Sequence, residues 1–551
     1  MVVMNDLFPP GAPVRKELLR RHLAGPVLNV QGFGAKGDGV ADDTGAVQAA
    51  IDAAVGQGGG TVYLPAGVYK IMPQRGSAGA EVNALTIRGS NIRLLGDGPG
   101  VTRLLFRVAG DRDPSTNFDI VSRDGKSSVW RGSALVIDNS GGAGRPLHDV
   151  AVEDLEIDGG ARPGNTRERS LSAAPGGDGW DVSHKGILII PDFSYRALSF
   201  VNLHLHSFRG EIVYGGGDAI DDVTIERCYI HSTNADGVSV SASLVMRDNR
   251  ISDCAHACIE NIHGAKSASY INNSFSNARL GLNFQTDWDS PHSVLVTGNV
   301  IEECSDNGIL MNVENGPALI ADNMLVDCGY PAVSNAAIAL SPTTGLKAPV
   351  ATGIVIRNNT ILRQNRDGGF GIQLECGGGA KIRSVVVSDN YIGSAGPAIE
   401  RDFRFQAPLA YGFLRRASVE GVLITRNSYF RSHRAVENTQ AQLAKPTAPM
   451  PLMWDNRTLE ARERINSFVA TDGKSPIRLH NEGPTALASS SDGAVVTPML
   501  VASDYAQGQR LILTGDNVKR RVYIPQSSDT YECRDRKSTR LNSSHTDISR
   551  M

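Results

Sequence analysis

One asparagine recurs along this chain at a fixed place in a repeated strand pattern. The segments VMRDNRI, SYINNSF, VLVTGNVI, ALIADNML, IVIRNNTI, VVVSDNYI and VLITRNSY alternate apolar with other residues, and each carries the asparagine two residues before its last apolar position. The aligned residues are Asn249, Asn273, Asn299, Asn323, Asn359, Asn390 and Asn427, spaced 24 to 37 residues apart. After each comes a small residue and then an apolar one, as in Cys258-Ile259, Gly281-Leu282, Gly308-Ile309 and Gly371-Ile372. Strands this short cannot bury a face alone, so repeats of this length must stack to share one core. Stacking sets equivalent asparagines about 4.8 Å apart, where their amides can hydrogen-bond along the pile. That pattern predicts an all-β solenoid, the parallel β-helix. A propeller would need four strands in about 40 to 45 residues joined by hairpin turns, and few Asn-Gly or Asp-Gly turns occur here.

Composition narrows the partners. With 551 residues, 41% hydrophobic, the chain can bury a long core. Its 59 glycines fall at recurring turn positions rather than in a low-complexity tract. Charged residues make up 21% and the formal net charge is -3, so the basic excess that nucleic acid requires is missing. No run approaches the roughly 20 apolar residues of a membrane helix, which argues against membrane insertion. The opening residues show no apolar segment behind a basic one. The expectation is therefore secretion or a periplasmic location only if a leader is missing from the start, and a cytoplasmic or virion location otherwise.

The segment VQGFGAKGDGVADD places Gly32, Gly34 and Gly37 in the spacing of a dinucleotide fingerprint. Val47, Ala50, Ile51, Ala54 and Val55 then follow at helical spacing, predicting a short amphipathic helix over 43–55. Asp42 and Asp43 stand at its start, suited to the N-cap and to the positive end of the helix dipole. Two carboxylates there would repel a pyrophosphate, so no nucleotide cofactor is expected. The longer stretch FGAKGDGVADDTGAVQAAIDAAVGQGGGTVYLPAGVYKI resembles instead the N-terminal segment of pectate-lyase-like, right-handed parallel β-helix proteins, which include polygalacturonases, alginate epimerases and phage tailspikes. The resemblance is close over about Leu28 to Ile71, and it implies that the helix caps the first coil, where core and strand edges would otherwise be open.

These readings divide the chain into an N-terminal extension (1–26), a β-helix with its capping helix (27–440), terminal coils or a small β module after the Pro-rich KPTAPMP (441–534), and a tail (535–551). The tail begins DRKSTRLNSSH, which resembles the translation of a sequencing adapter. It is expected to hold no stable structure.

Aligning the coils on the small-apolar signature predicts one outward polar row. It holds His184 and Lys185, then Arg209 and Glu211, Asp236, His256 and Glu260, Arg279, and Asp306. Long insertions after the same strand, such as QTDWDSPH and RDFRFQAPLAYGFLRR, would wall a groove over it. A solvated ladder of opposite charges is the plain alternative. As a site, mixed cations, carboxylates and imidazoles suit an acidic polysaccharide or oligosaccharide, because Lys and Arg neutralise uronate carboxylates while a base takes a proton.

The segment NADG, Asn234 to Gly237, is similar to the Asn-Thr-Asp-Gly motif of polygalacturonases and matches Asp236 to a catalytic carboxylate. One coil later, however, this chain reads Ala255-His256-Ala257 where that family carries Gly-Asp-Asp. Inverting hydrolysis needs two carboxylates about 6.5 to 9.5 Å apart, which Asp236 and Glu260 would have to supply. β-Elimination or C5 epimerisation needs only a cation beside the uronate and a proton-transfer group. The expected catalytic set is thus Lys185, Arg209, Asp236, His256 and Glu260, with His184, Glu211, Arg279 and Asp306 binding substrate. No cofactor is required by this reading. Calcium is the one that the acids would suit, held by Asp236 and Glu260 or by Asp287 and Asp289. The rival reading is a non-catalytic, glycan-binding β-helix of the tailspike kind. Cys254, Cys304 and Cys328 share one repeat phase and read as buried thiols.

Overall fold

A computed structural model describes most residues from 25 to 394, the longest gaps being 108–132 and 161–183, and further strands as far as Asp535. The seven repeat asparagines form one continuous ladder. Asn273 Oδ1 accepts from both the N–H and the Nδ2 of Asn249, at 3.0 and 2.9 Å. The same pair of bonds joins Asn273 to Asn299, Asn299 to Asn323, Asn323 to Asn359, Asn359 to Asn390 and Asn390 to Asn427. The second Nδ2 hydrogen goes to a main-chain carbonyl, as from Asn299 to Tyr270 O at 2.9 Å. Every ladder amide is buried, and no apolar residue could satisfy that many main-chain and side-chain groups at once.

The residue before each asparagine explains why the chain bends there. Asp248, Asn272, Gly298, Asp322, Asn358, Asp389 and Arg426 all have φ between 53° and 68°. Five residues on, Asp253, Asn277, Glu303 and Asp327 repeat the left-handed conformation. Asn, Asp and Gly tolerate it best, so the coils of Asn249, Asn273, Asn299 and Asn323 each turn two corners around a strand of about five residues.

Three parallel ladders result. One runs from Val27–Asn29 through Gly60–Tyr63, Ile92–Leu95, Leu147–Asp158, Tyr195–Phe208 and Ile220–Glu226 to Leu452–Trp454. Its inward column is unbroken from Leu94 through Val152, Phe200, Ile225, Met246, Tyr270, Val296 and Ile320 to Ile356, and all of these side chains are at most 1% exposed. A second ladder carries Leu85–Ile87, Leu135–Ile137, Ile187–Ile189, Val213–Gly215, Val238–Val240 and Ala257–Asn261. The third includes the end of Tyr195–Phe208, then Tyr229–Thr233 and Arg250–Cys254. Parallel pairing continues past residue 440 to Arg457–Glu463. The strands from Phe468–Val469 to Tyr531–Asp535 form a separate five-stranded sheet. Residues 1–24 and 536–551, which hold most of the expected extension and tail, lie outside the described residues.

The helix spans Thr44–Gly56 and buries Val47, Ala50, Ile51 and Ala54. It also closes a strand edge: Gln48 Nε2 donates to Thr86 O at 2.9 Å and Gln48 Oε1 accepts from Thr86 N–H at 2.8 Å. The expected capping by Asp43 needs correction. Asp43 occupies the N-cap position without a capping bond. Its carboxylate turns back to accept from the N–H groups of Lys36 (2.6 Å) and Gly37 (3.0 Å), while Asp42 Oδ1 takes the Thr44 N–H at 3.0 Å. The glycine-rich loop therefore spends on its own aspartate the donors that an anion would need. Cys228, Cys254, Cys258, Cys304 and Cys328 are free and buried.

Candidate functional site

The predicted polar residues come together, but not as an outward row. Lys185, Glu211 and Asp236 stand at successive corners just before the strands Ile187–Ile189, Val213–Gly215 and Val238–Val240. Main-chain bonds keep the corners in step: Ile212 N–H donates to Asp236 O and Gly237 N–H to Ala257 O. At a corner the side chain lies along the neighbouring coil instead of pointing away. Asp236 Oδ1 thus reaches the Ala257 N–H at 2.9 Å. Lys185 and Asp236 are 0% exposed, Glu211 and Glu260 1%. The expected solvent-facing arrangement is replaced by a buried line of charge.

Two units make up that line. Lys185 Nζ is ion-paired with Glu211 and lies 4.7 Å from the centroid of the Tyr214 ring. Burial raises the Glu211 carboxyl, Lys185 opposes the rise and Asp236 adds to it. Next to it, His256 Nδ1 lies 2.8 Å from Asp236 Oδ1 and 3.2 Å from Glu260 Oε2. Burial alone would push this imidazole down, but the two carboxylates outweigh it and hold His256 well above the ordinary histidine range. Burial also raises Glu260, reinforced by the charge of Asp236 and opposed by His256. His256 and Glu260 are therefore both shifted toward their protonated forms. His256, at 7% exposed, is its most open member, with Arg209 comparably open at 8%.

Several expectations change. Lys185 is engaged by Glu211 below the surface, which removes it from the catalytic set and Glu211 from substrate contact. His184 is a core residue: its ring lies between Phe106 and Phe208, with centroids 5.3 Å away on each side. Its Nε2 donates to Gly159 O at 3.0 Å and its Nδ1 accepts from the Arg209 N–H at 2.9 Å. Burial brings this imidazole down to about 3, so it is neutral and cannot serve as a substrate-facing cation. Arg279 and Asp306 pair with each other at 2.7 Å on the surface. Asp287 and Asp289 lie outside the described residues.

As a cation site the trio is ambiguous in composition but not in geometry. Asp236 Oδ2 and Glu260 Oε2 are buried without hydrogen-bond partners, and the ligand atoms of Asp236, His256 and Glu260 lie within 4.8 Å of one another. Calcium asks for six to eight oxygens, whereas here a nitrogen raised toward the protonated state fills the gap between the carboxylates. The donor set does not fit calcium. The same closeness departs from the separation of an inverting pair, about 6.5 to 9.5 Å with room for a water.

Sequence reasoning missed two features. Asn283, directly opposite Glu260 in the ladder, donates from Nδ2 to Glu260 Oε1 at 3.2 Å. Its signal lay in the repeat register. The other is a cluster of histidines on the third ladder, legible as the alternating His204 and His206 of NLHLHS. Among the described residues, a 560 Å³ depression lined by Asn91, Arg93, Glu153, Ser199 and Thr224 touches none of the candidate residues.

Comparison with known proteins agrees with this architecture. The family description "Rhamnogalacturonase A/epimerase, pectate lyase-like" matches residues 27–144, and "Right handed beta helix region" matches residues 185–344. The chain belongs to the pectate-lyase-like right-handed β-helix superfamily. Mannuronan C5-epimerase AlgE2 of Azotobacter vinelandii is 52% identical to this β-helix over 87 residues, 15% of the chain and 8% of that protein. Alginate lyase 7 of the same organism is 40% identical over 131 residues, 24% of the chain and 12% of that protein. The matches thus span only a small part of either relative's length. The solved A-module of A. vinelandii mannuronan C-5 epimerase AlgE4 aligns with 78% of the chain and 98% of its own length, at 17% identity and a TM-score of 0.43.

Proposed function

We propose that this β-helix is a carbohydrate-active enzyme that acts on the uronate units of an acidic polysaccharide, by β-elimination or C5 epimerisation. The observation that supports it best is the imidazole of His256 held between Asp236 and Glu260 at 2.8 and 3.2 Å. The activities named for the epimerase and lyase relatives belong to the same chemical class. Removing the C5 proton of a uronate generates an enolate whose charge must be met by a nearby cation. Arg209 and the protonated His256 supply positive charge at the least enclosed part of the line. Asp236, whose Oδ2 has no hydrogen-bond partner, takes the C5 proton, and His256 works on the acid side: it protonates the departing O4 in an elimination, or returns a proton to the opposite face of C5 in an epimerisation. Asp236 and Glu260 keep the ring charged and oriented.

The test is to incubate the protein with alginate, pectate and other uronate polymers while following ultraviolet absorbance of unsaturated ends, reducing ends, and inversion at C5 by NMR. We expect either unsaturated ends or inversion, without hydrolysis. His256→Ala and Arg209→Ala should each lower turnover by about 100-fold or more, in protein that still unfolds cooperatively on heating. Full activity in both variants would remove this site assignment. Binding of a polymer without any of the three changes would instead favour the glycan-binding reading.

A further inference from the structure

Away from the trio, the third ladder carries a second cluster. His204 and His206 alternate on one face of Tyr195–Phe208, and the register sets Glu156 directly beside His204 and Asp158 beside His206. On the following coil Tyr229 pairs with His204 and His231 with His206. Glu156 spans both imidazoles, with Oε1 3.1 Å from His206 Nε2 and Oε2 3.6 Å from His204 Nδ1.

We propose that Glu156, His204 and His206 form a binding site for a divalent transition metal of the zinc class. The three ligand atoms lie within 4.8 Å of one another. Bond lengths of about 2.0 to 2.2 Å around a four- to six-coordinate ion place neighbouring donors about 3.0 to 3.5 Å apart, close to the two distances observed. Two imidazoles and one carboxylate are a donor set used by zinc and by its first-row neighbours.

The shell behind the ligands is already built. A ligating histidine needs an acceptor for its other ring proton. His204 Nε2 lies 2.9 Å from His231 Nε2, whose Nδ1 lies 2.8 Å from Ser232 Oγ. His206 Nδ1 lies 2.9 Å from Ser207 Oγ. Arg103 Nε lies 2.7 Å from Glu156 Oε1 as an ion pair, while its terminal nitrogen donates to Asp158 Oδ2 at 2.6 Å, which sets a fixed positive charge behind the carboxylate. With a metal on His204 Nδ1, the proton resides on Nε2 and is donated to His231. With a metal on His206 Nε2, the ring's one proton resides on Nδ1, beside Ser207 Oγ.

The rings are locked by stacking, His204 on Tyr229 and His206 on His231, each at 5.1 Å and 8°. His204 remains 27% exposed in its side chain, leaving access for the ion and for further ligands.

The test uses the full chain, produced without a histidine tag, stripped with a chelator and titrated with Co2+ while visible d–d absorption is followed. One equivalent should bind and be displaced by Zn2+. Glu156→Gln and His206→Gln should each weaken binding by about 100-fold or more, and His231→Phe, which keeps a ring in the stack, by about 10-fold to 100-fold. Glu260→Gln should leave it unchanged. Thermal unfolding identifies the variants that remain folded, and the near-isosteric Glu156→Gln is the one best suited to do so. No d–d band, a band indifferent to both His206→Gln and Glu156→Gln, or a band lost with Glu260→Gln would overturn the assignment.

Discussion

At the scale of single residues, two histidines in one protein are held in opposite states by their surroundings. His256 lies against two carboxylates and gains proton affinity, whereas His184 lies between aromatic rings and loses it. His184 carries a stability consequence. Its folded value of about 3 lies below that of the unfolded chain, so below about pH 6.5 only the unfolded state takes up the proton. The stabilisation is complete above the unfolded value and is lost as pH falls toward the folded one. By pH 5 the loss from this group is about 2 kcal/mol. His184→Phe should unfold more easily in urea at pH 7, since Gly159 O and the Arg209 N–H lose their partner, yet it should show a flatter decline between pH 7 and pH 5. An equally steep decline in the variant would show that His184 does not supply it. None of this could be read from HKG in the sequence, which shows a histidine beside a lysine but not the Phe106 and Phe208 rings around it.

At the scale of the repeated element, the asparagine ladder was legible because its requirement is local: one amide per coil, at one phase, next to a left-handed bend. Asn299 shows what each rung holds. Its Oδ1 accepts twice from Asn273, and its own amide donates to Asn323 Oδ1 at 2.9 Å and to Tyr270 O. Asn299→Ala leaves these buried groups without partners and should cost on the order of 3 kcal/mol, measured as a lower urea midpoint. Asn299→Asp should not rescue it, because a carboxylate has no donor for Tyr270 O. A ladder that tolerated alanine at Asn299 would mean that coil packing alone sets the register. The corner residues were placed less well, since period-two alternation fails where the chain turns. Lys185 and Glu211 were assigned to the outer face for that reason.

For the whole molecule, the question is what ends the stack. The helix Thr44–Gly56 covers core and, through Gln48, satisfies Thr86 on the strand Leu85–Ile87. Ile51 is fully buried beneath it. Ile51→Asp should displace the helix and open apolar surface together with a free strand edge, a template for pairing between chains. The expected outcome is a larger species than the wild type by light scattering at equal concentration, alongside a lower unfolding temperature. A variant of unchanged size and stability would show that the helix does not close the stack. The distribution of charge is also a property of the whole. The net charge of -3 carries no sign of a polyanion site, and only the folding of distant repeats brings Asp236, His256 and Glu260 together.

Periodicity and local turn chemistry were enough, by themselves, to determine a parallel solenoid, its asparagine seam and a short amphipathic helix before it, because each coil repeats a short-range pattern that does not depend on distant residues. The tertiary structure alone decided which polar groups are buried, which are paired and which carry protons. Those properties depend on the neighbours that a side chain meets from other coils, some 20 to 50 residues away in the chain, as in Lys185 with Glu211, Asp236 with His256, and Glu156 with His206. A proton's residence is set by burial and by charges within a few ångströms, and sequence order does not encode those distances directly.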